Sequence, residues 1–320
     1  MRYVGGSAIR VIGGIAVGAC GLLPFLGSIS PANPNSHRVV THKVVLPPIE
    51  PEAAESVASI DIGGACAEHA SSQDVQDVGT ETTATAALRQ KIELLDRGLG
   101  WLQQIHDYTG TLQKQEVVNG VLLDEQTISI KCRHHPFSVY MAWHTGSPGR
   151  EVIYIQGQNN GKMIVHEGGW KSRIPALTLA TDCMLAMRDA RYPVTTAGLV
   201  GLIEIMRGVH QDDLVRSNYA SCDIDHHRQF DGRPCSMFTT RYKSRVESPT
   251  YRKSITLIDH EWNVPLHSRH FEWLNSNEAM SEEQLDEATL LECYSFTELN
   301  IGCGLTDHDF DRTNQEYQFR

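Results

Sequence analysis

Short runs in which apolar and polar residues alternate, joined by tight-turn signals, constrain this chain more than any other feature. The first runs are residues 128–132, 137–143, 152–155 and 163–165. Side chains that alternate in this way belong to strands with one buried face. Asn119-Gly120, Asn160-Gly161 and Asp231-Gly232 accept the positive φ angles that short hairpin turns require. The sequence therefore predicts successive antiparallel strands with short connections.

Two segments with helical periodicity accompany these strands. Leucine and isoleucine recur at intervals of three and four between residues 86 and 106, and a second apolar stripe follows Pro193, with Thr195-Thr196 as candidate caps and Gly208 as its end. Further strand-like runs are 236–242, 254–258, 265–273 and 292–299. We expect an α+β fold, a strongly curved antiparallel sheet or incomplete β-barrel whose concave face is covered by helices. Such a sheet encloses a cavity.

The chain divides into three regions of unlike composition. Residues 1–32 contain Arg2 and Arg10 and then an uncharged apolar stretch, which predicts a signal peptide or an uncleaved membrane anchor over residues 4–30. Residues 33–83 hold eight acidic residues, two basic residues and no aromatic residue, so we expect a disordered linker. Residues 84–320 hold 21 of the 23 aromatic residues and are expected to form the folded domain.

The net charge of the chain argues against one class of partner. The formal net charge is −11 and no block of Lys and Arg occurs, which argues against a nucleic-acid partner. The predicted export signal places the protein in the periplasm or cell envelope, with a membrane contact through its N-terminal segment if that segment is not cleaved.

Local motifs for catalysis and metal binding are incomplete. His166-Glu167 and His260-Glu261 open a zinc-protease pattern without its second His, and no G-x-S-x-G motif occurs. The run Cys222–His227, near Cys235, contains metal-ligand residue types but no C-x-x-C pair. We therefore expect no enzyme activity, no catalytic residue, no metal and no cofactor.

The eight cysteines leave disulfide pairing open. A two-residue turn at Asp231-Gly232 would set Cys235 opposite Arg228, so a bridge from Cys235 to Cys222 would require a bulge or a wider loop. Cys293 and Cys303 are an equally open pair.

Several segments of the third region resemble a known family. The segments are Arg133–Trp143, Gly149–Tyr154, Gly157–Lys162, Arg191–Leu199, Tyr294–Phe296, Gly304–Asp311 and Asn314–Tyr317. They resemble a bacterial family of unknown function of the DUF1571 type, which is similar to the LolA-like lipoprotein carriers of the bacterial envelope. The resemblance implies an exported protein with an incomplete barrel and an apolar cavity for acyl chains.

Alternation along the strands also identifies candidate cavity-lining residues, since alternate residues of a strand share one face. The strand candidates are Ile128, Ile130, Phe137, Val139, Met141, Trp143, Ile153, Ile155, Met163, Val165, Phe271 and Trp273. The candidates for a helical lid are Leu199, Leu202, Ile203 and Met206. The other interpretation is that these side chains fill a solid core, as they do in many small curved sheets.

Three functional hypotheses follow. The first is a non-enzymatic envelope module that holds a lipid or lipoprotein acyl chain in the cavity. The second is a protein-interaction or stress-sensing module of the same fold, which binds another envelope protein and carries no cargo. The third is a metal-dependent hydrolase.

Overall fold

The computed structural model describes residues 82–275 and 279–319. The predicted signal peptide or anchor lies outside these residues, and so does the predicted linker except for its last two residues. No helix within the described ranges is both long enough and apolar enough to span a membrane.

The described residues form three helices, four short 3-10 turns and twelve strands. The helices are α1 (Thr83–Leu102), α2 (Gly198–Arg216) and α3 (Glu282–Ala288). The 3-10 turns are Asn159–Gly161, Gly169–Arg173, Val194–Thr196 and Asp307–Phe310. The strands are β1 (Asp107–Val118), β2 (Val121–Leu122), β3 (Gln126–Arg133), β4 (Ser138–Trp143), β5 (Glu151–Ile155), β6 (Lys162–His166), β7 (Leu177–Ala180), β8 (Tyr219–Phe230), β9 (Arg233–Tyr242), β10 (Lys253–Asp259), β11 (Pro265–Phe271) and β12 (Leu290–Ile301).

All twelve strands belong to one sheet in the order β7-β6-β5-β4-β3-β1-β12-β11-β10-β9-β8, with β2 paired to β1 outside this path. Neighbouring strands are antiparallel, and β7 and β8 form the two edges, so the sheet is open rather than closed into a barrel. The predicted fold class, an α+β fold built on an open, curved antiparallel sheet, is confirmed.

Two of the three predicted turn dipeptides form hairpin turns. Asn119 and Gly120 have φ angles of 52° and 80° between β1 and β2, and Asp231 and Gly232 have φ angles of 50° and 73° between β8 and β9. Cys235 is paired with Arg228, as the two-residue turn predicts. The third signal belongs to a longer connection, in which a 3-10 turn precedes β6.

The second helix is longer than its sequence pattern indicates. The prediction that α2 ends at Gly208 is wrong, because the helix continues to Arg216 and ends at Ser217, whose φ of 51° is left-handed. A glycine inside a helix costs about 1 kcal/mol relative to alanine. Burial of His210 and Asp213 beyond the glycine holds the helix together across it.

The two faces of the sheet carry separate hydrophobic clusters. The helix face, which packs against α1 and α2, includes Leu88 and Leu95 of α1 and Leu199 and Ile203 of α2, all 0% exposed. The tail face is covered by residues 303–319, and its cluster consists of Tyr140, Ile153, Ile155, Leu305 and Phe310. Strands β3 to β6 therefore have apolar side chains packed on both faces of the sheet.

Candidate ligand-binding cavity

A cavity of about 140 Å³ lies between the helix face of the sheet, α2 and the connection formed by residues 181–197. An engineered cavity of about 150 Å³ in another protein binds benzene, so this space accepts a small apolar group. Its apolar lining includes Leu112, Ile128, Met141, Trp143, Val152, Met163, Ala186, Leu202, Ile205, Met206, Val209 and Phe296.

Twelve of the sixteen predicted lining residues belong to the helix-face cluster or pack against it. The residues that border the cavity are Ile128, Met141, Trp143, Met163, Leu202 and Met206. Those buried in the helix-face cluster away from the cavity are Ile130, Val139, Val165, Leu199 and Ile203. Phe137 is half-buried at the edge of the same cluster, just before β4 begins.

The assignment of Ile153 and Ile155 to the cavity face is wrong, because both belong to the tail-face cluster. The register pairs Tyr140 with Ile153 and Met141 with Val152, and paired residues of antiparallel strands share a face. All five residues of β5 are buried, so its sequence shows no alternation from which its orientation could be read.

The assignment of Phe271 and Trp273 is also wrong. His270 borders the cavity, and its neighbour Phe271 therefore points to the opposite face, where Lys253 and Arg269 lie 5.3 Å and 5.1 Å from its ring. Trp273 follows the end of β11, and its indole N–H donates to the carbonyl of Ser248 at 2.7 Å.

The start of α2 is fixed by the sheet. The backbone N–H of Leu199 donates to the Tyr108 hydroxyl of β1 at 2.9 Å. Gly198 has a φ of 87°, and a Cβ at this position would lie 2.5 Å from the same hydroxyl. The prediction of Thr195-Thr196 as caps is wrong, since Ala197 is the N-cap and the Thr196 hydroxyl donates to the carbonyl of Pro193.

Two buried carboxylates form a polar wall of the cavity, and the first is Glu116 of β1. It accepts hydrogen bonds from Lys114 Nζ at 3.0 Å, from the Tyr294 hydroxyl at 2.6 Å and from the backbone N–H of Arg191 at 3.2 Å. These donors satisfy a carboxylate that is only 4% exposed.

The second carboxylate is Glu292 of β12. Arg191 Nε and His270 Nδ1 lie 2.9 Å and 3.2 Å from its oxygens, and the hydroxyls of Tyr192 and Tyr251 donate to it at 3.1 Å and 3.4 Å. Burial by itself would raise the pKa of Glu292, but the hydrogen bond and charge of His270 and the charge of Arg191 hold it below its usual range. Glu292 is therefore an anion in the cavity wall.

A third polar group lies farther along α2. His210 borders the cavity and its Nδ1 is 3.0 Å from Asp213 Oδ2, to which the Tyr242 hydroxyl also donates at 2.8 Å. Burial and the nearby charge of Lys91 together lower the pKa of His210 to about 4. Burial likewise lowers the pKa of Lys91 to about 8. His210 is therefore neutral near pH 7.

These polar residues are absent from the predicted lining set, because that set contains only apolar residues. The sequence of β1 does carry a signal for these polar residues. Leu112, Lys114 and Glu116 are two positions apart, so they lie on the same face of the strand and border the cavity.

The chemistry of the described residues offers few other sites. Within residues 82–275 and 279–319, no group of three or more His, Cys, Asp or Glu side chains lies close enough together to hold a metal ion. The cysteines in these ranges, at positions 132, 183, 222, 235, 293 and 303, are unpaired.

The family model described as "Protein of unknown function (DUF1571)" matches residues 105–319, which include every strand described above. No match was found among curated proteins.

Solved structures with a similar fold are distant from this chain. MucB in complex with MucA from Pseudomonas aeruginosa has a TM-score of 0.40 and 15% identity, over 69% of this chain and 60% of that one. The lipoprotein LppX of Mycobacterium tuberculosis has a TM-score of 0.39 and 9% identity, over 70% and 99% of the two chains. A DUF1329 family protein from Desulfovibrio piger has a TM-score of 0.32 and 10% identity, over 70% and 97%. Similarity of this degree transfers no ligand or partner to this chain.

Proposed function

Because this chain belongs to the DUF1571 family, whose description gives no function, we propose from its own residues that it is an exported, non-enzymatic envelope module that holds a lipid or lipoprotein acyl chain. The observation that carries the proposal is the cavity beneath α2. Its apolar lining comes from strands at several positions in the sheet and from the helix, and apolar burial is the general source of affinity for an acyl chain.

The size of the cavity defines how a chain would enter it. A space of about 140 Å³ takes up a short part of an acyl chain without rearrangement. Met141, Met163 and Met206 border this space, and methionine side chains are flexible enough to adapt to irregular ligands. We propose that a longer chain is accommodated by rearrangement of these three side chains and a shift of α2.

The segment that precedes the domain fits the same role. Residues 1–32 would direct export or anchor the chain in the membrane. The segment of residues 33–83, which is rich in acidic residues, would tether the domain at a distance from that membrane. These assignments rest on composition.

The competing proposal, an interaction or stress-sensing module without cargo, does not require an open cavity. An acyl-binding module does, and for this reason the cavity favours it over the alternative.

The experiment that tests the proposal is lipid analysis of the full chain purified from a bacterial envelope. Native mass spectrometry and solvent extraction should find a lipid or acyl species bound to the wild type. Leu202→Trp places a larger side chain at the cavity and should abolish this bound species. Val215→Trp is the matched control, because Val215 lies on the same helix and is 86% exposed.

Two results would contradict the proposal. One is a wild-type protein that carries no lipid and binds no long-chain probe after purification without detergent. The other is equal lipid content in the Leu202→Trp and Val215→Trp variants.

A further inference from the structure

One buried guanidinium borders the cavity without a full set of partners. Arg150, directly before β5, is 6% exposed and lies 5.1 Å from the centre of the Trp143 ring. Both residues line the cavity. An arginine side chain carries five N–H donors, and a buried charge is costly unless it is paired.

Asp189, the carboxylate that pairs with Arg150, also accepts hydrogen bonds from a second arginine. Asp189 Oδ2 lies 3.5 Å from Arg150 Nη1, at the limit of hydrogen bonding. The same carboxylate accepts shorter bonds from Arg188, at 3.2 Å and 3.1 Å from Nε and at 2.8 Å from Nη2. Arg150 therefore shares Asp189 with Arg188, which makes the shorter hydrogen bonds to it.

One donor of Arg150 is unsatisfied. Its Nε is buried and has no hydrogen-bond partner among the residues that the structure describes. Burial lowers the pKa of Arg150 even though the charges of Glu167 and Asp189 act in the opposite direction. The other cation that borders the cavity, Lys114, is paired with Glu116 at 3.0 Å.

We infer that Arg150 anchors the terminal oxyanion, carboxylate or phosphate, of a single-chain amphiphile whose apolar chain occupies the cavity. The planar fork of arginine matches two oxygens of either group, and such charge-assisted pairs are about twice as strong as neutral hydrogen bonds. Met141, Val152 and Met163 would contact the first carbons of the chain, since they border the same cavity on adjacent strands. This inference rests on the proposed function and adds the chemical class of its ligand.

The test is a binding titration on the full chain after bound lipid has been removed on a hydrophobic resin. Dodecanoate, dodecyl phosphate and dodecanol share one chain length and differ in the terminal group. The wild type should bind at least one of the two anions about tenfold more tightly than dodecanol, because only an anion pairs with a buried guanidinium. The tighter of the two anions identifies the terminal group as a carboxylate or a phosphate.

Substitutions then assign the preference to Arg150. Arg150→Gln should weaken anion binding about tenfold and leave dodecanol binding within about twofold, and Arg150→Lys should restore part of the loss. Asp189→Asn should strengthen anion binding because it removes the competing carboxylate. Arg216→Gln is the control, since the Arg216 side chain is 65% exposed at the far end of α2 and should change nothing.

The outcomes separate the anchor from the cavity. Equal affinity of the wild type for dodecanol and both anions, or an unchanged preference in a folded Arg150→Gln variant, overturns the anchor and leaves the acyl-binding proposal intact. Failure of all three compounds to bind overturns both. If Arg150→Gln does not fold, as judged by circular dichroism, the wild-type preference and the Asp189→Asn variant still decide the question.

Discussion

The helix face and the tail face of the same strands are packed to different degrees. On the tail face, the rings of Tyr140 and Tyr317 stack with centres 3.9 Å apart, and Arg133 lies 4.9 Å over the Phe310 ring. On the helix face, a cavity of about 140 Å³ lies between part of α2 and the sheet. One set of strands thus has a filled layer on one side and a partly hollow layer on the other.

The difference lies in what covers each face. The tail is held by specific polar contacts, in which Lys131 reaches Asp309 at 3.0 Å and the Gln318 N–H donates to Glu151 at 2.8 Å. The tail is an irregular segment that is held at several points and follows the surface beneath it. A helix of 19 residues is rigid and does not follow the sheet along its whole length, and the cavity lies in the space that remains.

The largest expected effect comes from shortening one isoleucine on each face. Ile153 of the tail face and Ile128 at the cavity are both 0% exposed and lie on central strands. Ile153→Ala should cost about 4 kcal/mol, and Ile128→Ala about 2 kcal/mol, because Ile128 already lacks neighbours on its cavity side.

Urea denaturation of the two variants measures this difference directly. Equal losses, or a larger loss for Ile128→Ala, would show that the helix face is as well filled as the tail face in solution.

The next effect is a pH dependence that comes from a buried histidine of the helix face. The pKa of His210 is lowered from its ordinary value of 6.5 to about 4, so the unfolded chain binds a proton that the folded chain does not. The contribution of His210 to stability is complete above pH 6.5, and about 3 kcal/mol is lost as the pH falls to about 4.

The measurement is the stability difference between wild type and His210→Gln across this range of pH. The difference should change in favour of the variant as the pH falls, since glutamine does not titrate. Parallel stability curves would mean that His210 is solvated or already charged.

A smaller effect is expected where the sheet holds the start of α2. Tyr108→Phe removes the acceptor of the Leu199 N–H and should cost about 1–2 kcal/mol, because a buried donor is left unpaired. The same change should loosen α2 and raise the exchange rate of the first amides of the helix. Slow, unchanged amide exchange in this variant would show that the helix is held by its apolar contacts alone.

The smallest effect is expected outside both faces. Arg216 and Asp212 form a pair whose side chains are 65% and 69% exposed, at a distance of 3.4 Å. Arg216→Gln should change the free energy of unfolding by less than about 0.5 kcal/mol. Thermal denaturation at low and moderate salt checks this baseline, and a larger loss would mean that the end of α2 supports the helix face more than its exposure suggests.

Local sequence was sufficient for the turns and for much of the sheet. Asn119-Gly120 and Asp231-Gly232 form hairpin turns, and Val139, Met141 and Trp143 of β4, which alternation groups on one face, all belong to the helix-face cluster. These features depend on residues that are close together in the sequence, and the periodicity of apolar residues therefore predicts them.

Other features depend on residues far away in the sequence. The orientation of β5 depends on the tail, residues 303–319, which lies more than 150 positions later in the sequence. The backbone N–H of Gln318 donates a hydrogen bond to the Glu151 carboxylate. The polar run in β8, considered above as a metal-ligand cluster, is an edge strand in which Asp223 and Asp225 are not fully buried. The charged residues of β1 face inward because β12 and the connection before α2 supply their partners.

The pairing of β1 with β12 governs the order in which this domain can be completed. Strands β1 and β3 to β7 form one run of antiparallel neighbours and β8 to β12 form another, and the two runs meet only where Asp107–Val118 lies beside Leu290–Ile301. During synthesis from the N-terminus, β1 can pair with β2 and β3 early, but its edge toward β12 stays unpaired until residues 290–301 have emerged. Contacts of such long sequence separation slow folding, and an exposed edge strand of this length promotes aggregation. The pairing of β1 with β12 is therefore expected to be the last step that completes the sheet.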